Sequence, residues 1–147
     1  ARHVAAAAAL DHVAGYCLLD DVSERAFQLE RGGQQHTKGK SADSFCPLGP
    51  WLLTADEVAD PQKIALWTEV NGAPVQNGTT AHMIHPVAAL IAAVSEFMTL
   101  HPGDVISTGT PDGVGKGMNP PRYLKVGDIV TLGGTGLGEQ RHRVVMV

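Results

Sequence analysis

The chain has 147 residues, of which 44% are hydrophobic and 18% charged, a composition typical of a folded globular domain. Lys and Arg number 11 against 15 for Asp and Glu, giving a formal net charge of -4, and no basic stripe would follow a phosphate backbone. These values exclude a disordered chain and argue against nucleic acid or a membrane as a partner.

The first part of the chain predicts one short helix, one strand and a long polar loop. The alanine-rich residues 5–13 favour a helix, and the apolar run 15–19 predicts a buried strand that ends at Asp20 and Asp21. Residues 30–44, rich in Gly, Gln, Lys and Ser, predict a loop over the functional site. Pro47, Gly49 and Pro50 predict a break before the next strand.

The second part predicts a hairpin, an amphipathic helix and several strands. Strand 64–70 turns at Asn71-Gly72 and returns over 74–76. Residues 86–100 repeat apolar side chains at helical spacing after a proline suited to a first helical turn. Three further strands are predicted at 105–108, 129–132 and 141–147. Each follows a turn, at residues 102–104, 126–128 and 133–138, respectively.

Strands dominate these elements, and the strand–helix alternation of a parallel sheet is missing. The predicted fold class is therefore α+β, mostly β, in one domain covering residues 1–147. The glycine-rich stretch 109–117 lacks the spacing of a phosphate-binding loop and predicts turns. Cys17 and Cys46 lie in no metal or redox spacing, so we expect buried thiols and a cytoplasmic protein.

Two sets of polar residues suggest chemistry without proving it. Asp20 and Asp21, adjacent at the end of an apolar run, could offer carboxylate oxygens to a hard divalent cation, or form a solvated turn. Lys38 and Lys40 could place an ammonium near an anionic substrate, or only add surface charge.

Taken together, several blocks resemble, in order and spacing, successive segments of the fumarylacetoacetate hydrolase family. They are GYCLLDDVSERAFQ at 15–28, KGKSADSFCPLGPWLL at 38–53, VNGAPVQNGTTAHMI at 70–84 and LHPGDVISTGTPDGVGKG at 100–117. The ending YLKVGDIVTLGGTGLGEQRHRV is also similar. The resemblance covers essentially the whole chain.

The resemblance implies a mixed β-roll of the family's C-terminal catalytic domain, a homodimer, and a divalent ion, usually Mg²⁺ with Mn²⁺ or Ca²⁺ as alternatives. It assigns Asp21 as a metal ligand and Lys40 as the catalytic lysine. It assigns substrate binding to Arg25, Gln28 and Thr110. A keto acid chelates a hard cation well, and an ammonium beside it would stabilise a developing enolate.

The chain also departs from the family pattern. The other two metal ligands of the family form a Glu-x-Glu pair upstream, and these 147 residues contain no Glu-x-Glu. We therefore expect the N-terminal part of the catalytic domain, with a His-Glu pair that activates water, to lie outside this chain. Asp20 stands where the family commonly has Asn.

The predicted function is metal-dependent hydrolysis of a carbon–carbon bond in a diketo acid, through a metal-stabilised enolate. The sequence of residues 38–53 most resembles the branch of the family that acts on acylpyruvates and 2,4-diketo-3-deoxy sugar acids. Oxaloacetate decarboxylation and hydroxydienoate isomerisation remain open, because the same chelate stabilises those intermediates. A non-enzymatic fragment or dimerisation module remains open as well.

Overall fold

The computed structural model describes residues 1–146 and contains six strands and one α-helix of note. Val147, the last residue of the predicted strand 141–147, lies outside the described residues. The α-helix is α1 (Val87–Phe97), and the strands are β1 (Gly15–Leu19), β2 (Leu48–Thr54), β3 (Ala65–Val70), β4 (Ala73–Thr79), β5 (Ile129–Gly134) and β6 (Gly138–Arg143).

The strands form two antiparallel sheets, which confirms the predicted α+β class with mostly β-structure. One sheet has the order β1-β2, and the other has the order β4-β3-β5-β6. Antiparallel pairing suits strands joined by short turns and leaves one face free for water. The main core lies between the sheets and is formed by Leu18, Ile64, Val130, Leu132 and Leu137.

A second core holds the N-terminal residues against α1. The predicted helix at 5–13 is a 3₁₀ helix, Ala6–His12, and its Ala9 packs on Val87 and Ile91. Ser95 of α1 is fully buried, and its Oγ accepts a hydrogen bond of 3.0 Å from the backbone N–H of Val4. The start of the chain is thereby fixed to one face of α1.

The hairpin β3–β4 forms where the sequence predicts it. Asn71 and Gly72 both adopt positive φ angles, 54° and 77°, as a two-residue hairpin turn requires. Asn71 Nδ2 donates to Asp128 Oδ1, and Asn71 Oδ1 accepts from the backbone N–H of Ile129, each at 2.8 Å. The turn is thus locked to the first residue of β5.

A bulge in β2 accompanies two carbonyl groups that accept hydrogen bonds from the side chain of Gln140 on β6. Tyr16 pairs with Leu53 but Leu18 pairs with Gly49, so residues 50–52 bulge opposite Cys17. Gln140, 8% exposed, donates from Nε2 to the carbonyl oxygens of Leu18 at 2.9 Å and Gly49 at 2.7 Å. This side chain joins β6 to both strands of the smaller sheet.

Several predicted boundaries are wrong. Of the residues predicted to break the chain before the strand, Pro47 does precede β2, but Gly49 and Pro50 lie inside it. β2 already begins at Leu48 because its bulge accommodates Pro50. The helix predicted to residue 100 ends at Phe97. The last strand begins at Gly138, within the predicted turn 133–138, and ends at Arg143.

The predicted strand 105–108 is also wrong. These residues are assigned to no strand, and none of the described residues 1–146 forms a ladder with them. Apolar alternation reports local preference, whereas a strand also needs a neighbour to receive its backbone hydrogen bonds. Val105 is 56% exposed as a result.

The two cysteines differ in burial. Cys17 is partly buried, and burial, reinforced by the nearby Cys46, raises the pKa of its thiol. Cys46 is exposed, so the expectation that both thiols are buried is wrong. The reason is that Cys46 lies in the turn before β2, with a positive φ of 59°.

None of the helices in residues 1–146 combines the length and the apolar character needed to cross a bilayer.

Candidate functional site

Asp21 and Lys40 form the centre of the candidate site. Lys40 Nζ donates a hydrogen bond to Asp21 Oδ2, and the two side chains are 33% and 41% exposed, respectively. Asp21 is the second residue after the end of β1, while Lys40 ends a 3₁₀ turn, His36–Gly39, inside the predicted loop. The structure therefore brings together the predicted metal ligand and the predicted catalytic lysine.

Gly39 sets the approach of the Lys40 loop to the segment after β1. A Cβ atom at Gly39 would lie 2.6 Å from Glu24 O and 2.6 Å from Gln28 Cβ, closer than atoms can pack. The carbonyl oxygen of Gly39 also accepts a hydrogen bond of 2.8 Å from the N–H of Glu24. The loop thus packs backbone against backbone beside Asp21.

Asp20 is less exposed than Asp21. Burial raises the pKa of the Asp20 carboxyl, the charge on His142 opposes that rise, and the charge on Asp21 adds to it. His142 Nε2 lies 2.8 Å from Gln140 Oε1, so the two side chains form a polar pair on β6.

Arg25 and Gln28 are held together on the turn that follows Asp21. Arg25 Nη1 donates to Gln28 Oε1 at 2.6 Å, and Gln28 is only 2% exposed. The Glu24 carboxylate caps this turn by accepting hydrogen bonds from the backbone N–H groups of Ala26 and Phe27. Gln28 itself belongs to a π-helical segment, Phe27–Arg31, whose last two residues fall inside the loop predicted from residue 30.

Thr110 lies on a separate loop, which is packed on β4. Gln76 of β4 donates from Nε2 to Thr110 Oγ1 at 2.8 Å and to the Pro111 carbonyl oxygen at 2.7 Å. Gly113 has a φ of 108°, and a Cβ there would lie 1.8 Å from Val75 O. Only glycine allows the loop this approach to β4.

A broad cleft connects these groups. It measures about 2130 Å³, and the side chains of Asp21, Arg25, Gln28, Lys40 and Thr110 all line it. Pockets for small ligands usually measure about 300–1,000 Å³, so the cleft exceeds the needs of one small substrate. Four large apolar residues that are roughly half exposed also line it, namely Leu52, Val105, Tyr123 and Leu124.

The described residues do not form a complete metal site. Within residues 1–146, no three or more His, Cys, Asp or Glu side chains come close enough to hold a metal ion. Asp21 offers the oxygen donor that hard cations prefer, but Mg²⁺ requires several oxygens in near-octahedral order. Ser44, which stands where the family often has a hydroxyl near the metal, is exposed with a φ of 62°.

Sequence reasoning did not find the residues that support the site. Gln76 lies inside the block 70–84 and Gln140 inside the final block, yet neither was assigned a role. A glutamine in a strand carries no periodic or motif signal, because its role depends on which carbonyl or hydroxyl the fold brings near. The roles of Asp21, Arg25, Gln28, Lys40 and Thr110 remain predictions.

Comparison with protein families gives one match over nearly the whole chain. Residues 1–145 match the model described as the C-terminal part of fumarylacetoacetate hydrolase. A curated protein of Burkholderia multivorans, named only as a hydrolase, is 60% identical over 140 residues, covering 95% of this chain and 49% of its own length. The chain thus spans about half the length of the curated relatives it matches.

Solved structures with the same fold include enzymes of different reactions. A fumarylacetoacetate hydrolase from Exiguobacterium antarcticum gives a TM-score of 0.94 at 41% identity, over 100% of this chain and 52% of that one. A 5-carboxymethyl-2-hydroxymuconate delta-isomerase from Mycobacterium smegmatis gives 0.85 at 41% identity, over 98% and 53%. Maleylpyruvate hydrolase from Sphingobium sp. SYK-6, in complex with manganese(II) and pyruvate, gives 0.83 at 36% identity, over 98% and 48%.

Proposed function

Because the chain belongs to the fumarylacetoacetate hydrolase family, we propose that it forms part of a divalent-metal-dependent hydrolase that cleaves a carbon–carbon bond in a diketo acid. The substrate class is an acylpyruvate or a 2,4-diketo-3-deoxy sugar acid. Maleylpyruvate hydrolase, which shares the fold and was solved with manganese(II) and pyruvate, supports a keto acid and a divalent cation. The curated relatives are named as hydrolases.

The contact between Asp21 and Lys40 carries this proposal. It joins an anionic oxygen donor, suited to a hard cation, with an ammonium in a partly exposed position on the cleft. When bound, Mg²⁺ or Mn²⁺ would act as a Lewis acid on a carbonyl oxygen of the keto acid. Lys40 would place its positive charge on the same side of the substrate.

The remaining residues would bind and orient the keto acid. Arg25, whose guanidinium is fixed by Gln28, presents a donor suited to a carboxylate. Thr110 adds a hydroxyl from a separate loop that lines the same cleft. Water adds to the distal carbonyl carbon, and the bond between that carbon and the adjacent carbon of the keto acid breaks. The electron pair of this bond forms the enolate of the keto acid, whose carbon then takes the proton lost by the water, so the products are a carboxylic acid and the keto acid.

We further propose that the other metal ligands, including a Glu-x-Glu pair, come from a segment outside these 147 residues. Three observations support this proposal. Asp21 provides only one carboxylate, the matched relatives are about twice as long, and residues 105–108 line the cleft but form no ladder within the described residues 1–146. Such a segment could also cover the half-exposed apolar residues that line the cleft.

A second candidate keeps the same site and changes the reaction. The isomerase from Mycobacterium smegmatis is as similar in sequence as the fumarylacetoacetate hydrolase, 41% in both cases. The same cation, Lys40 and Thr110 could stabilise the enolate of a hydroxydienoate or of oxaloacetate without hydrolysis. A non-enzymatic dimerisation module is the alternative to both.

The experiment is an assay of the intact protein that contains this chain, on a panel of keto acids with and without Mg²⁺ or Mn²⁺. We expect pyruvate release from an acylpyruvate only with metal. Asp21→Asn should reduce turnover more than about 100-fold, since even partners of metal ligands contribute about 10- to 100-fold. Asp11→Asn, the same change at an exposed carboxylate, serves as the matched control.

Three outcomes would reject parts of the proposal. Metal-independent turnover, or full activity of Asp21→Asn, would contradict the proposed site. Turnover of a hydroxydienoate or of oxaloacetate in place of an acylpyruvate would favour the isomerase or decarboxylase. No turnover and no metal binding by the intact protein would favour the dimerisation module.

Assembly and location belong to the proposal as well. A homodimer is proposed from the family resemblance, and light scattering of the intact protein tests it. A cytoplasmic location is proposed because Cys17 and Cys46 are free thiols, as is usual in a reducing compartment.

A further inference from the structure

We infer that Gln76 is a positioning residue, which fixes the hydroxyl of Thr110 as a hydrogen-bond donor to a carboxylate oxygen of the substrate. The inference rests on the proposed function, because it assigns Thr110 to substrate binding. Gln76 lies on β4, and the hydrogen bonds of its side-chain amide determine the direction in which the Thr110 hydroxyl can donate.

The orientation of the Gln76 amide follows from one of its partners. Its terminal group lies 2.7 Å from the Pro111 carbonyl oxygen, which can only accept a hydrogen bond. The amide oxygen cannot face another oxygen at that distance without repulsion, so the NH₂ group must point there. The same nitrogen lies 2.8 Å from Thr110 Oγ1.

This arrangement assigns the proton of Thr110. An amide NH₂ has two hydrogens and accepts nothing, so one hydrogen goes to Pro111 and the other to Thr110 Oγ1. The hydroxyl of Thr110 is therefore an acceptor toward Gln76, and its own proton must point elsewhere. Within residues 1–146, this proton has no protein acceptor among the hydrogen bonds of the structure.

The Thr110 proton is available to water or to a ligand. Thr110 is exposed and lines the cleft that also contains Lys40, Asp21 and Arg25. A hydroxyl donor on a cleft that also holds the cations of Lys40 and Arg25 suits an anionic oxygen, and the proposed substrate class carries a carboxylate. A hydrogen bond to a charged group is about twice as strong as one between neutral groups.

The loop has little freedom to lose this orientation. Gly113 cannot carry a side chain, because a Cβ would lie 1.8 Å from Val75 O. A Cβ at Gly78 would likewise lie 2.7 Å from Pro111 Cβ, so the loop packs directly on β4 at Pro111 and Gly113, which follow Thr110. Gln76 therefore acts on a hydroxyl whose backbone is already fixed.

The test replaces the Gln76 amide by a carboxylate of nearly the same shape. In Gln76→Glu, the NH₂ group that donates to Thr110 Oγ1 and to the Pro111 carbonyl oxygen is lost. The carboxylate accepts the Thr110 proton, so the hydroxyl can no longer donate to substrate. We expect KM for the acylpyruvate, and the Kd for pyruvate in the presence of Mn²⁺, to rise about 10- to 100-fold, the usual range for a hydrogen bond to a charged group. We expect kcat to change less. Gln76→Met, which removes the donor without supplying an acceptor, should show a smaller rise.

Two controls separate positioning from a loss of folding. Asn77→Asp makes the same amide-to-carboxylate change at the adjacent exposed residue, whose side chain lies on the opposite face of β4, and should leave KM unchanged. In a Thr110→Val background, Gln76→Glu should cause little further rise in KM. A purely structural role of Gln76 would instead make the two changes additive.

The outcomes are distinguishable from failure of the proposed function. Normal wild-type turnover together with an unchanged KM in Gln76→Glu, or additive effects in the double variant, would overturn this inference alone. If the wild-type protein neither turns over the acylpyruvate nor binds pyruvate with Mn²⁺, the proposed function fails and this inference fails with it.

Discussion

At the scale of single residues, the contact of Lys40 with Asp21 determines where the lysine ammonium can meet an anionic substrate. Its ammonium contacts one carboxylate oxygen of Asp21, and both groups remain partly open to the cleft. An ammonium is a compact charge that can serve an anionic oxygen from many directions, whereas a guanidinium needs a planar, two-pronged partner. If the proposed function holds, arginine would be a poor substitute for Lys40.

The first prediction concerns this charge. Lys40→Met should lower kcat of the intact protein by about 100- to 1,000-fold, as removal of one electrostatic stabiliser of a developing oxyanion does elsewhere. Lys38→Met, the same change at an exposed lysine two positions earlier in the chain, is the control and should leave kcat unchanged. Equal losses in both variants would indicate an effect on the loop and remove Lys40 from the mechanism.

The residue roles that follow from sequence differ from those that need coordinates. Asp21, Arg25 and Lys40 could be named as candidates because the blocks that contain them resemble a known family in order and spacing. Gln76 and Gln140 could not, since an amide has no preferred environment until a carbonyl or hydroxyl lies beside it. The contact between Asp21 and Lys40 also joins residues 19 positions apart.

At the scale of the elements, the segment 103–113 offers a comparison between two glycines with similar backbones. Gly113 has a φ of 108° and meets Val75 O, whereas Gly103 has a φ of 94° and meets nothing within 4 Å. Substituting either glycine by alanine therefore places Cβ in the same unfavourable region of φ. Only at Gly113 does a collision with β4 add to it.

The second prediction uses this pair. Gly103→Ala should cost about 1–3 kcal/mol in the free energy of unfolding, the usual range for a strained residue. Gly113→Ala should cost more and should also raise KM, since the loop that carries Thr110 must move off β4. Urea unfolding and steady-state kinetics measure the two effects. A Gly113→Ala variant no less stable than Gly103→Ala would contradict the packing described.

The third prediction concerns Gln140, whose side chain joins β6 to the smaller sheet. Gln140→Leu leaves the carbonyl oxygens of Leu18 and Gly49 without their side-chain donor. A buried polar group left without a partner costs about 1–3 kcal/mol, so the free energy of unfolding should fall by about that amount for each carbonyl that water cannot reach. Glu139→Leu, at the adjacent exposed position of β6, is the control.

The fourth prediction is a pH dependence at the β3–β4 turn. Hydrogen bonds from the side chain of Asn71 and then from the backbone N–H of Lys125 lower the pKa of Asp128. A carboxyl with a lowered pKa adds stability above the pKa of the unfolded chain and loses it as pH falls through the folded pKa. Asp128→Asn should thus be less stable than wild type at neutral pH.

The stability difference should disappear in acid, once Asp128 is protonated in the wild-type fold. Urea unfolding of both proteins over a series of pH values measures it. A difference that stays constant from neutral pH to below the normal range of aspartate would show that shape, and not charge, explains the effect.

The elements also show what local sequence can predict. β1 matches the predicted residues 15–19 because an apolar run bounded by Gly15 and two aspartates has well-marked ends. Residues 105–108 have a similar apolar pattern and yet form no strand, because pairing depends on a neighbour far away in sequence or outside the chain. β2 begins earlier than predicted because its bulge accepts Gly49 and Pro50.

At the scale of the whole molecule, the cleft is larger than one keto acid requires, and Asp21 supplies only one carboxylate to it. The fifth prediction follows. Calorimetric titration of the 147-residue chain with Mg²⁺ or Mn²⁺ should show no binding tighter than about millimolar, because such sites need several oxygens. The intact protein should bind the same ions more tightly, and Asp21→Asn should weaken that binding. Micromolar binding by the 147-residue chain would show that it holds a complete metal site by itself.

The contact at Gly39 has a consequence for how this chain can vary. Since even a methyl group would collide with Glu24 O and Gln28 Cβ, the ammonium of Lys40 is located by a residue that has no side chain. A Gly39→Ala change would alter no charge and no donor, yet it would push the neighbouring lysine outward, and catalysis would fall while the ionisable groups stayed intact. The position where mutation is least tolerated therefore need not carry a functional group.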